Sequence, residues 1–357
     1  ASGFGTPAAI TAPLLVALGF PAVTAVMLGM MVQSTPVTFG AVGTPVLVGV
    51  RGGLESVEVN AQLASAGIEF SEYLQIITSH AVLLHAIVGT VMPLLMIMMM
   101  TRFFGENRSW TEGLSVWPFA LFGGVAFTIP YYITGVFLGP AFPSLLGGLI
   151  GLGVVTMAAR KGFLMPKDQW DFPDRKTWPT DWVGKLEMRL EVPDKMMSPV
   201  RAWMPYLLVA VLLVLTRLPQ LPFGAALRSF VLRWEGILGT PVIASTTPLY
   251  LPATMLLVVV VMTVVLHRMR IDQFTSAIYE SSKTLIGAGF VLIFAVPMVR
   301  IYINSGVNAL DIQSMPIAMA EWVSLNVGAV WPFFAPFIGA LGAFIAGSNT
   351  VSNLMFS

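Results

Sequence analysis

The chain is expected to fold as an all-α polytopic membrane protein, and three features carry that expectation. Hydrophobic residues make up 56% of its 357 positions and charged residues only 10%. Mean hydropathy is +0.81, and apolar runs recur at about the 20 residues a helix needs to cross a bilayer. Several of those runs are interrupted by glycine, proline and small polar residues. An unpaired backbone group in hydrocarbon is costly, so an interrupted helix persists only where protein covers it or where it lines a watery cavity. Breaks near both ends of one hydrophobic chain fit an inverted-repeat secondary transporter with broken, re-entrant helical hairpins. Contacts between membrane helices through small residues are the plainer alternative.

Composition also excludes. A net charge of +1 gives no reason to expect a nucleic-acid partner. The absence of cysteine removes disulfides, thiolate metal sites and cysteine nucleophiles. No zinc-protease helix motif, phosphate-binding loop or acid pair points to an enzyme, and no cofactor or metal is expected. A channel or structural subunit would also tolerate broken helices, but neither could accumulate a solute. The chain opens without Met and without a signal-peptide pattern, and both its ends fall inside small polar tips, so an internal fragment of a longer transporter is expected.

In order, residues 8–18 form an apolar run entered through Thr6 as N-cap and Pro7 at the first helical position. A second helix over 21–33 runs into the Gly/Pro/Thr-interrupted stretch 36–45, either a bend or part of a site, and an apolar tail to 50. Residues 51–72 read as a loop or interfacial helix, followed by spans over 74–100, 116–138 and 142–159. Tyr131 and Tyr132, beside Pro130, fit interfacial tyrosines or a bend. Residues 161–201 carry mixed charges interleaved with Trp170, Trp178 and Trp182 and read as a solvated connector. Beyond it come a span over 203–216, an irregular section to 247, a span over 249–266, an amphipathic helix over 272–283, and spans over 284–303 and 314–334. The domains expected are therefore a first-repeat membrane region over 1–160, the connector over 161–201 and a second-repeat membrane region over 202–357. Counting Lys and Arg across these spans puts the connector on the cytoplasmic side.

The closing stretch is the strongest candidate for a binding site. An apolar helix opens at Pro336, stops at Gly347 and gives way to Ser348, Asn349, Thr350, Ser352 and Asn353 before apolar residues resume. A half-helix restarting there aims its N–H groups and the positive end of its dipole at the break, which suits an anion. The opposite tip offers Ser2, Gly3, Gly5 and Thr6. Arg300, beside Pro297 and late in a span, is the leading counter-charge; snorkelling, or pairing with Asp311 or Glu321, is the alternative. His85, Glu321 and His80 are candidates for carrying a proton, since intramembrane ionisable groups default to function. His80 and His85 lie about 140° apart around a helix and do not form a metal pair.

Residues 1–10 (ASGFGTPAAI), 14–20 (LLVALGF) and 36–45 (PVTFGAVGTP) resemble the first conserved block of the L-lactate permease family, and 333–353 (FFAPFIGALGAFIAGSNTVSN) resembles its second. The resemblance implies a multi-pass bacterial inner-membrane symporter that takes up lactate and glycolate with a proton. It also implies a broader superfamily in which paired hairpin tips hold a carboxylate, which places Ser348, Asn349 and Thr350 in one tip and Ser2, Gly3, Gly5 and Thr6 in the other. The first tip lacks the Ser-Asn-Thr triplet, which bears on sodium coordination. A sodium- or proton-coupled carrier of another small carboxylate is the alternative. A small monocarboxylate needs donors for two oxygens and a partner for a hydroxyl, and Ser, Asn, Thr and backbone N–H groups provide them. The partners expected are thus a monocarboxylate such as lactate or glycolate, a proton and the lipid bilayer, with a homo-oligomer left open.

Overall fold

A computed structural model describes residues 6–55, 57–166, 170–183, 197–218 and 220–356. Among the described residues, six helices are long and apolar enough to cross a membrane, and the only sheet is a two-stranded hairpin. The expected all-α polytopic membrane fold holds. Backbone packing divides the chain into two compact units, one of residues 1–47 and 55–193, the other of residues 48–54 and 194–357.

In the first unit, α1 (Thr6–Ala17) and α2 (Ala22–Met31) are short apolar helices. Pro36 has no N–H to continue α2, and Ser34 donates its hydroxyl to the Met31 carbonyl at 2.7 Å instead. Residues Val37–Phe39 make a tight turn. Ala41, Val42 and Gly43 then adopt left-handed φ values of 44°, 58° and 75° before winding resumes at Pro45. A β-branched valine at positive φ is strained by about 1–3 kcal/mol. The stretch 36–45 is therefore a true backbone break rather than a gentle bend.

Helix α3 (Phe70–Phe104) has 35 residues and is about 52 Å long, well beyond the roughly 30 Å of hydrocarbon it must cross. It absorbs the end of the expected loop over 51–72. It packs along α4 (Trp117–Leu138), which packs on α5 (Pro143–Arg160), and both α4 and α5 have a proline at their start. Small residues let these helices approach without any apolar driving force between them. Polar side chains then close the seam. The Thr90 and Thr128 hydroxyls meet at 2.9 Å, and Gln75 Nε2 donates at 2.8 Å to the carbonyls of Gly135 and Val136. Another face of α3 presents Leu84, Ile87, Val88 and Val91 outward, where lipid would cover them. The connector is only partly solvated. Arg175 and Lys176 are exposed, but the Phe172 ring packs against Phe20 at 5.2 Å and Trp182 against Phe104 at 5.1 Å.

In the second unit, α6 (Pro199–Arg217) is capped by Ser198 and ends at Arg217. The section to 247, expected to be irregular, contains α7 (Pro222–Arg228) and a hairpin of β1 (Leu232–Trp234) with β2 (Ala244–Thr246). Helix α8 (Pro252–Leu266) runs back along α6. Arg201 donates to the Leu266 carbonyl, His267 Nε2 donates to the Arg201 carbonyl at 2.9 Å, and Arg217 donates to the Tyr250 carbonyl. These bonds join the pair at both ends: the Leu266 carbonyl is one that a helix C-terminus leaves open, and the Arg201 carbonyl lacks a helical donor because Pro205 has no N–H.

Two expectations fail here. The amphipathic helix over 272–283 and the span over 284–303 are one 33-residue helix, α9 (Ile271–Ile303). Gly287 and Gly289 do not break it, because hydrocarbon rewards every continued backbone hydrogen bond. The span over 314–334 is instead two pieces, α10 (Met315–Asn326) and α11 (Trp331–Ala346). Gly328 turns at φ 50° between them, and Pro332 restarts the helix without needing a donor. Helix α11 thus opens at Trp331, with Pro336 inside it rather than at its start.

Candidate functional site

The backbone break expected at Gly347 is present. Gly347 stops α11 in the left-handed conformation at φ 59°, its N–H bonded to the Ala343 carbonyl at 3.0 Å. Only glycine takes that conformation without strain. Helix α12 (Asn349–Phe356) starts two residues later. The Ser348 hydroxyl lies 3.5 Å from the Val351 N–H, and its carbonyl accepts from Ser352 at 2.9 Å, so Ser348 caps α12.

The tip is seated by α9 and by the short segment 48–54. Val351 and Leu354 pack against Val299, with Ile303 and Met355 beside them. A β-carbon on Gly49 would lie 2.8 Å from the Thr350 carbonyl oxygen and 3.0 Å from the Asn353 β-carbon, and one on Gly52 would lie 2.8 Å from the Leu354 side chain. Gly49 and Gly52, one helical turn apart, let the backbone of α12 lie directly on this segment. Ser348, Thr350 and Ser352 are consequently buried, with Asn349 and Asn353 half-buried. Among the described residues, the Thr350 Oγ1 is buried with no hydrogen-bond partner. A buried hydroxyl without a partner costs about 1–3 kcal/mol, and here it sits in the first turn of a helix that follows a break.

Other expected site residues fare differently. Ser2, Gly3 and Gly5 lie outside the described residues, and Thr6 opens α1. Arg300 is exposed, and among the described residues its guanidinium makes no ion pair. It lies about 100° around α9 from Val299, the residue that faces the tip. Its suggested partner Glu321 is exposed and accepts from Gln313 Nε2 at 3.0 Å instead. His80 is exposed and bonds back to the Ile76 carbonyl of its own helix at 2.9 Å.

His85 belongs to a second constellation, at the break in the first unit. The Phe39 N–H bonds to the Pro36 carbonyl at 3.2 Å, leaving the Thr35 carbonyl to side chains from other helices. His85 Nδ1 on α3 lies 2.8 Å from it, and the Tyr131 hydroxyl on α4 donates to it at 3.0 Å. The Ser144 hydroxyl on α5 donates to the Pro36 carbonyl at 2.7 Å. A carbonyl can only accept, so His85 carries its hydrogen on Nδ1 and keeps its lone pair on Nε2. Phe39 closes edge-on over both rings, at 6.3 Å from His85 and 5.6 Å from Tyr131. Tyr131 is fully buried, so the interfacial reading fails for it: its hydroxyl finds a backbone oxygen instead of the membrane surface. Thr35, Gly49 and Gly52 are not singled out individually by the sequence, and Tyr131 is marked there only as an interfacial tyrosine or a bend.

Gly49→Ala is expected to lift α12 off its seat and destabilise the protein by about 1–3 kcal/mol, measured as a lower thermal midpoint in detergent. An unchanged midpoint would mean the close approach at Gly49 does not exist.

A sequence model of the L-lactate permease family matches residues 1–357. The chain is 29% identical over 381 residues to a putative L-lactate permease of Haemophilus influenzae, covering all of this chain and 63% of that protein. It is 27% identical over 385 residues to the L-lactate permease of Escherichia coli strain K12 and 26% identical over 386 residues to the glycolate permease GlcA of the same strain. Each of these alignments covers all of this chain and 61% of the relative. The chain therefore spans about three fifths of the length of the curated relatives it matches. No solved structure matches it. The apolar spans and a family match over all 357 residues together show a multi-pass bacterial inner-membrane chain that belongs to the L-lactate permease family.

Proposed function

We propose that the protein containing this chain carries L-lactate, and glycolate, across the bacterial inner membrane together with a proton. The names of the relatives support the substrate class. The observation that carries the reading is the buried, unpartnered Thr350 hydroxyl in the first turn of α12, immediately after the break at Gly347. A small carboxylate would accept from that hydroxyl and from the N–H groups of the turn, in the favourable field of the helix N-terminus. Ser348, Asn349, Ser352 and Asn353 complete this tip, and Ser2, Gly3, Gly5 and Thr6 are assigned to its counterpart. Arg300 is assigned to attracting the anion from a distance, as its exposed guanidinium suits.

For the proton, His85 is favoured over His80 and Glu321. The bond to Thr35 holds its ring with Nε2 as the basic atom, and the strained backbone beside it gives the site a conformation that could switch. The organisation as two inverted repeats, with the connector on the cytoplasmic side, rests on the broken helices and on the distribution of Lys and Arg. A sodium-coupled carrier of a related carboxylate is the second reading, favoured by the Ser348 to Thr350 triplet.

In proteoliposomes holding the complete parent protein, Thr350→Val is expected to raise the KM for L-lactate about five- to tenfold while leaving thermal stability unchanged or improved. Removing a merely orphaned hydroxyl would improve stability and leave KM alone, and that result would take the tip out of the site. His85→Gln is expected to abolish accumulation driven by a proton gradient while retaining lactate counterflow. Proton-driven accumulation at the wild-type rate would exclude His85 as the carrier, and accumulation driven only by sodium would replace the coupling ion.

A further inference from the structure

Between α6 and α8 lies a segment with two properties that the transport reading does not use. It bares large apolar side chains, with Phe223 52%, Phe230 49%, Trp234 69% and Leu238 97% exposed. A short segment of this kind, flanked by apolar helices, belongs in the headgroup region, where aromatic rings anchor. With Arg217 at the end of α6 it holds three arginines against one carboxylate, and that carboxylate is taken, since Arg233 Nε pairs with Glu235 at 2.6 Å.

Arg217 and Arg228 are left to each other. Both guanidinium groups lie over the Tyr250 ring, at 3.7 and 4.2 Å from its centre, so the two charges are no more than about 8 Å apart, with a ring face and no carboxylate between them among the described residues. Arg217 donates to the Tyr250 carbonyl and Arg228 to the Tyr250 hydroxyl. Arg217 Nε, by contrast, is buried without a partner among the described residues. Burial alone would raise the Tyr250 pKa, but the charges and hydrogen bonds of Arg217 and Arg228 outweigh it and bring the hydroxyl below the usual phenol range. Bracing Tyr250 between α6 and α8 accounts for the hydrogen bonds made. It does not account for the idle donor, or for the absence of a counter-charge among the described residues.

We propose that this segment is an interfacial binding site for an anionic lipid headgroup, whose phosphodiester is held by Arg217 and Arg228 beside Tyr250. The planar guanidinium presents paired donors that match phosphate oxygens. The apolar rim places the site at the depth where phosphodiesters are concentrated, which favours a lipid over a soluble anion.

The test is native mass spectrometry of the complete parent protein, purified in neutral detergent and offered phosphatidylglycerol or phosphatidylcholine. Phosphatidylglycerol is expected to be retained about tenfold more strongly. Arg228→Gln should erase that preference. Arg233→Gln removes the same charge from the same segment but from a pair already neutralised, and should keep it. Arg228→Lys, which keeps the charge without the fork, should fall between, and it covers the case in which Arg228→Gln does not fold. No preference in the wild type, or equal loss in the Gln variants of Arg228 and Arg233, would overturn the proposal. Displacement of bound lipid by sodium lactate would also overturn it, by giving the site to a soluble carboxylate. Because the readout is lipid retention rather than uptake, this result is independent of whether the transport reading holds.

Discussion

In hydrocarbon a backbone carbonyl that loses its helical donor must find another, and that requirement organises the first unit. The tight turn after Pro36 takes the Phe39 N–H for the Pro36 carbonyl and so deprives the Thr35 carbonyl of its helical partner. His85, Tyr131 and Ser144 answer from α3, α4 and α5, converging on two oxygens. Each of these helices is long and apolar, and each carries one polar residue inward at the level of the break. The break thus dictates where polar groups occur in three otherwise lipid-compatible helices.

The second unit solves the same problem differently. Its break at Gly347 is closed by a cap from Ser348 and by the seating of α12 on Gly49 and Gly52. Here a close approach of one backbone to another covers the break, where in the first unit side-chain donors bond to it. The seat buries Thr350 completely enough to isolate its hydroxyl. A buried hydroxyl with no partner among the described residues keeps its hydrogen-bonding capacity for a ligand.

The two constellations divide the chemistry a symporter would need. One is a helix N-terminus with hydroxyl donors. The other is an imidazole whose tautomer is set by a backbone oxygen. Both sit beside backbone conformations that hydrocarbon tolerates only under protein cover, so each is tied to how well that cover stays closed.

Composition and hydropathy determined the class, because 56% hydrophobic residues arranged in bilayer-length runs admit few other folds. Glycine and proline determined where the backbone breaks, since φ at Gly347 and the missing N–H of Pro36 are local properties. The merging of 271–303 into one helix and the splitting of 314–334 into two escaped the sequence, because a glycine is a stop or a passenger according to what surrounds it. The partners of each break were decided only in three dimensions. His85 and Tyr131 lie 50 and 96 residues from Thr35, and Gly49 meets Thr350 across most of the chain. No local pattern encodes such pairings, because the hydrogen bond or contact that defines them exists only once the helices have packed.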